Sequence, residues 1–266
     1  MHKQKNTFGG AQAQISVQQH DSTGAIILAG GKGTRMAHLT RDEIPKPLLK
    51  VAGRELITYS LDVIRNSSVD KVVIAAKHLA DQIEFWVASA DIPAELVYMG
   101  IKGNSSAAAI SEAMSIIGRN LVVICSGDEI IRNLDLNMML EQHERSKSLI
   151  TLLAADPRNA VGEGVLLEID GMKVTGITER RHVQEVRQAD FLMHAGLIVM
   201  DREAIRLLDL SDRALRSGAI DMPIMRGGMA AGIIDAYIDR NVVFFNVNTP
   251  EEATLAEAYL YSAKRR

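Results

Sequence analysis

The chain has 266 residues, 47% of them hydrophobic, and its 30 basic and 33 acidic residues leave a formal net charge of -3. That balance gives no support for a nucleic-acid partner or for an anionic membrane surface as partner, and the sequence carries neither an apolar run of about 18 residues nor a signal-peptide pattern. The single cysteine, Cys125, excludes an intrachain disulfide and points to a reducing, cytoplasmic setting.

Residues 1–22, MHKQKNTFGGAQAQISVQQHDS, are polar, Gln- and Gly-rich and without hydrophobic periodicity, so a poorly ordered arm is expected there. Ala25 to Leu28 is a short apolar run ended by glycines. RELITYSLDVIRN (54–66) sets Leu56, Ile57, Leu61 and Ile64 on one helical face. KVVIAA (71–76) predicts a buried strand, 81–90 a helix, 95–98 a strand and 106–117 a helix. A strand over 120–125 and a helix over 136–146 follow. This alternation predicts an α/β fold: a Rossmann-like, mixed but mostly parallel sheet with helices on both faces. The second half changes character. Strands over 150–155, 164–169, 174–179 and 194–200 are joined by short connections, a helix spans 205–210, and a late strand (242–247) leads into a closing helix over 251–263. No Pro-rich or charged linker separates the halves. Residues 23–266 are therefore expected to form one domain, with a nucleotide half over about 23–150 and an acceptor half over about 151–266.

The first strand runs directly into LAGGKGTRM, residues 28–36. In an open parallel sheet ligands bind at the carboxyl ends of strands. Glycines there let backbone N–H groups close on an anion. Leu28, Ala29, Gly30, Gly31, Lys32, Gly33 and Thr34 thus form a candidate nucleotide-binding loop, with Lys32 and Arg35 as fixed charges. The loop fits neither G-x-x-x-x-G-K-[ST] nor G-x-G-x-x-G. A solvated glycine turn has the same composition. Downstream, Lys46 lies between Pro45 and Pro47, whose rings restrict the backbone around its ammonium.

LAGGKGTRM followed by PKPL (45–48) and VAGRELI (51–57) resembles the sugar-nucleotide pyrophosphorylase family, which joins a nucleoside triphosphate to a sugar 1-phosphate. The resemblance implies a nucleotide-diphospho-sugar transferase-like fold, and partners that are a nucleoside triphosphate and a phosphorylated sugar or sugar-like acceptor. It also implies Mg²⁺ as cofactor, and Arg35 and Lys46 as the catalytic cations on the phosphates. It carries a metal-binding role to Asp128, in VVICSGDEI (122–130), and to Asn246, in FFNVNTPEE (244–252), where the family often has Asp. By residue type alone, Asp128 also suits a helix or turn cap and Asn246 a strand end. Ser105 and Ser106 belong to the loop that in the family lies near the base and ribose, where Ser105 and Ala108 replace glycines, and the two serines equally suit capping of the following helix. Glu179, Arg180 and Gly196 match acceptor-side positions, with Arg180 replacing a lysine. Two alternatives stay open: transfer to a cyclitol, alcohol or molybdopterin phosphate within the same fold, and a non-catalytic nucleotide-binding regulator, which Asn246 and the altered 104–110 loop keep open. Dimers are common for such folds, so a homodimer is compatible with the resemblance, whereas the length leaves little room for an appended acyltransferase domain.

Overall fold

A computed structural model describes residues 22–89, 95–101, 106–178, 181–182, 191–207 and 221–263. The arm expected over 1–22 falls almost wholly outside the described residues, as do Ser105, Glu179 and Arg180.

Nine strands form one sheet. In chain order they are β1 (Thr23–Ala29), β2 (Val69–Ala76), β3 (Glu95–Gly100), β4 (Leu121–Ser126), β6 (Ile150–Ala155), β7 (Leu166–Asp170), β8 (Lys173–Ile177), β9 (Leu192–Asp201) and β10 (Ile234–Ile238). The spatial order is β7-β8-β10-β6-β9-β4-β1-β2-β3. Strands β3, β2, β1 and β4 are mutually parallel, with Ile26 opposite Val73 on one side and Ile124 on the other. Strand β9 runs antiparallel to both β4 and β6 and so joins the parallel half to the rest. The sheet is mixed, and one continuous ladder spans both halves of the sequence.

Side chains alternate across the strands and fill two cores. Ile27, Ile74, Val123 and Leu153 point to one face, where they meet Ile57, Leu61 and Ile64 of α1 (Leu56–Arg65), Ile83 of α2 (Ala80–Ser89) and Met139 and Leu140 of α4 (Leu136–Ser146). Ile26, Val73, Val122 and Leu152 point to the other. They pack on Ile110, Ala113 and Met114 of α3 (Ser106–Ile117), Ala204 of α5 (Arg202–Leu207) and Ile224 and Met225 of α6 (Asp221–Ala230). Each fully buried Ile or Leu contributes roughly 1.5–3 kcal/mol of gross transfer free energy. The expected helices on both faces are present.

Two elements off the main sheet position the site. Strand β5 (Glu129–Arg132) pairs antiparallel with β11 (Val243–Asn246), which also takes Ala160–Val161 on its other side. The last helix, α7 (Pro250–Ala263), follows β11 after three residues and packs Ala253, Ala256 and Leu260 into a third core with Leu56, Tyr59 and Phe245. The sequence reading assigned neither β5 nor β10 nor α6.

Candidate active site

The carboxyl ends of β1 and β4 are neighbours, and the Gly127 N–H donates to the Leu28 carbonyl at 2.9 Å. That bond sets Asp128 beside the glycine loop. A cleft of about 330 Å³ opens there, lined by Leu28, Ala29, Gly31, Gly33, Thr34, Arg35, Lys46, Pro47, Asp128 and Asn248.

Gly33 adopts φ 62°, a left-handed conformation that an L-residue takes only with strain, and it starts the 3-10 turn Thr34–Met36. A Cβ on Gly33 would lie 3.0 Å from Cβ and 3.2 Å from Cδ of Lys46. The loop therefore passes so close to the lysine stem that no side chain is accommodated without displacement. Lys46 opens its own 3-10 turn, Lys46–Leu48, between two buried prolines, and is itself only 4% exposed. Packed this way the stem cannot swing, and the ammonium projects to one point. There it donates to Asp128 Oδ2 at 2.6 Å and to Asn248 Oδ1 at 2.8 Å.

Asn248 owes its place to the start of α7. The Thr249 hydroxyl accepts from the Glu252 N–H at 3.3 Å, while Glu252 Oε2 accepts from the N–H groups of Asn248 (2.6 Å) and Thr249 (2.8 Å). This is a reciprocal capping box, with Pro250 at the first helical position. The Val247 N–H donates to the Asp128 carbonyl at 3.3 Å and ties the two segments together. The Asn248 amide donates to Asn246 Oδ1 at 2.6 Å, and Asn246 Nδ2 donates to the Glu163 carbonyl at 2.9 Å. One chain of polar contacts thus runs from Asp128 through Lys46, Asn248 and Asn246 to the backbone of Glu163. On the other side of the cleft, Arg35 Nη1 lies 3.3 Å from Glu163 Oε2.

Of the residues named from sequence, Leu28, Ala29, Gly31, Gly33, Thr34, Arg35, Lys46 and Asp128 line one cleft. Gly30, Lys32, Ser106, Gly196 and Asn246 are not among its lining residues. Lys32 is exposed, and Ser106 is the first residue of α3. Gly196 (φ 71°) sits at an irregularity of β9 against Glu129 and Phe244, where a Cβ would collide with both. Asn246 is buried with its amide engaged on both atoms. The side chain that enters the cleft from this segment is Asn248. Period two puts Asn246 and Asn248 on the same side and leaves both as candidates; the strand ends at Asn246, so only Asn248 lies past its end.

The donor set suits a hard cation. A carboxylate oxygen and an amide oxygen converge on a single positively charged point, occupied by the Lys46 ammonium. Mg²⁺ takes few protein oxygens and completes its shell with water and phosphate. Among the described residues no group of three or more His, Cys, Asp or Glu side chains is placed to hold a metal. Among the described residues no helix is long and apolar enough to cross a membrane.

Comparison with known proteins places this geometry. The nucleotidyl transferase family profile matches residues 24–210. A bifunctional GlmU protein from Cutibacterium acnes is 29% identical over 184 residues, which cover 68% of this chain and 43% of that protein. The chain thus spans well under half the length of that relative. A Bacillus anthracis structure assigned as a glucose-1-phosphate thymidylyltransferase, with bound sucrose, superposes with a TM-score of 0.73 at 18% identity, covering 90% of this chain and 95% of the other. The inositol-1-phosphate CTP transferase of T. maritima gives 0.68 at 15% identity, over 89% and 94% of the two chains. With a profile match over more than half its residues and a fold shared with these structures, the chain belongs to the nucleotidyl transferase family.

Proposed function

We propose that this chain is a nucleotidyltransferase that joins a nucleoside triphosphate to a sugar 1-phosphate or sugar-like phosphate and releases pyrophosphate. The observation that carries the reading is the convergence of Lys46, Asp128 and Asn248 within hydrogen-bonding distance in a cleft that Arg35 and the glycine loop also line.

An acceptor phosphate oxygen attacks the α-phosphorus of the triphosphate, and the bond to the pyrophosphate oxygen breaks. A phosphate monoester is already anionic near neutral pH and needs no strong general base. The work of the protein is therefore positioning and charge stabilisation. Lys46 supplies an immobile cation, since its stem is packed against Gly33 and the flanking prolines. Arg35, half exposed, reaches the phosphates from the mouth of the cleft. Asp128 and Asn248, each of which gives one oxygen contact to the Lys46 ammonium, would hold Mg²⁺ beside that ammonium and not in its place, and the ion would supply charge balance to the nucleotide phosphates. The buried Cys125 thiol, pushed up to about 12 chiefly by burial, is inert and fits a reducing cytoplasm.

The test is pyrophosphate release on mixing each nucleoside triphosphate with a panel of sugar 1-phosphates, in the presence and absence of Mg²⁺. Inositol phosphate belongs in that panel because a solved neighbour of the same fold is an inositol-1-phosphate CTP transferase. Release with at least one pair, lost on chelation, is the expected result. Triphosphate binding without turnover across the panel would make the chain a nucleotide-binding regulator instead.

A further inference from the structure

The partner of Arg35 is the informative feature. The Arg35 side chain is half exposed, at 52%, and the Glu163 side chain, whose Oε2 lies 3.3 Å from Nη1, is 28% exposed. Both groups are open to solvent and to ligand, so the pair is not a buried structural lock. The backbone of Glu163, by contrast, is fixed. Its carbonyl accepts from Asn246 Nδ2 at 2.9 Å, and its strand Glu163–Gly164 pairs antiparallel with Arg181–His182. A fixed backbone with a part-exposed carboxylate facing a half-exposed cation that lines the cleft is the arrangement of an exchangeable counter-ion.

We propose that Glu163 is a positioning residue that stands in for the triphosphate: it holds Arg35 at the cleft mouth until nucleotide phosphate displaces it. This rests on the reading above that the cleft takes a triphosphate. Nucleotide binding then swaps one ion pair for another instead of adding one. Glu163 thus sets both the affinity for polyphosphate and its dependence on salt.

The experiment measures binding of inorganic tripolyphosphate by titration calorimetry at two ionic strengths, which removes any dependence on base identity or turnover. The proteins are wild type, Glu163→Gln, Arg35→Ala and the double variant. An exposed ion pair is worth about 0.2–1 kcal/mol, so Glu163→Gln is expected to tighten binding about 1.4- to fivefold. Its affinity should also fall more steeply with salt than that of the wild type, because a net ion pair is gained on binding. In the Arg35→Ala background the same substitution should have no such effect. Glu163→Asp, one methylene shorter, should shift affinity in the same direction as Glu163→Gln and guards against a folding artefact. Unchanged or weaker binding by Glu163→Gln, or equal tightening in the Arg35→Ala background, overturns the inference. If Arg35→Ala weakens binding while Glu163→Gln does nothing, the inference fails alone. If the wild type binds neither tripolyphosphate nor any nucleoside triphosphate, the functional reading fails with it.

Discussion

The Nζ of Lys46 lies 2.6 Å from Oδ2 of Asp128, a residue 82 positions further along the chain. The contact joins the turn after the glycine loop to the end of β4, and it fixes a cation where a phosphate would otherwise meet an uncompensated carboxylate. Replacing Lys46 by Ala or Met should lower kcat about a hundredfold or more, by analogy with the 2.7–4 kcal/mol lost when a single preorganised donor is removed from an oxyanion hole. Arg35→Ala should act in the same direction. Pyrophosphate release and thermal melting, run together, decide the matter. Near-normal turnover in both folded variants would remove these cations from the mechanism.

Asn246 and Asn248 should separate cleanly by experiment although they are two residues apart and bonded to each other. Asn248 places an oxygen in the cleft, so Asn248→Ala should cut turnover by about tenfold or more even at temperatures where the variant is fully folded, over and above the stability lost with its bond to Asn246. That corresponds to loss of one hydrogen bond to a charged group, about 1.5–3 kcal/mol. Asn246 is buried and holds the Glu163 carbonyl. Asn246→Ala leaves that carbonyl and the Asn248 amide without their partner, at a cost of about 1–3 kcal/mol in stability. Thermal unfolding of both variants beside their turnover is the measurement, and wild-type turnover by Asn248→Ala would return the role to Asn246.

The same pair shows what the sequence made legible. A glycine turn after a buried strand marks the Gly33 loop as a candidate anion site by residue type, whereas the roles of Arg35, Lys46 and Asp128 come from the family resemblance carried by LAGGKGTRM, PKPL and the Gly127-Asp128 pair. The resemblance selects Asn246, where the family often has Asp, whereas the side chain lining the cleft is that of Asn248, because the strand ends at Asn246. That boundary is set by the capping box of Thr249 and Glu252, which fixes where α7 begins. Strand β10 escaped notice because IDAYI carries a charged residue at a buried position: Asp235 is 1% exposed and paired with Lys173 at 2.7 Å. Helix α6, DMPIMRGGMA, contains a proline and two glycines, which argue against a helix until Ile224 and Met225 are seen buried against the sheet. Strand β5 was hidden by the two-residue turn Gly127–Asp128 between it and β4.

Gly33→Ala tests whether the loop conformation serves the lysine. A left-handed φ of 62° costs an L-residue about 1–2 kcal/mol, which alone would lower Tm by a few degrees. The added Cβ would also press on the Lys46 stem at 3.0 Å and move the ammonium from its place between Asp128 and Asn248. Turnover should therefore fall by more than the stability loss explains, and the fall should persist at temperatures where the variant is fully folded. A variant that loses stability but keeps wild-type kcat would show that the glycine serves only the turn.

Acid stability should carry the signature of Asp156, away from the cleft. The Arg158 guanidinium donates to its carboxylate at 2.5 Å and the Arg158 N–H at 2.9 Å. The guanidinium bonds chiefly, then the backbone N–H and Arg240, pull its carboxyl down from 3.8 to about 2, with burial opposing them. Between those values the unfolded chain binds the proton and the folded chain does not, so protonation favours unfolding. The stabilising contribution is complete above 3.8, shrinks as the pH falls through this window and is gone below about 2. Because Arg158 is largely exposed, solvent screening limits the contribution to on the order of 1–2 kcal/mol. Urea unfolding of wild type and Asp156→Asn at about pH 5 and again near pH 3 measures it. The gap between the two proteins should narrow at the lower pH, and a gap independent of pH would mean that Asp156 acts through its turn geometry and not through its charge.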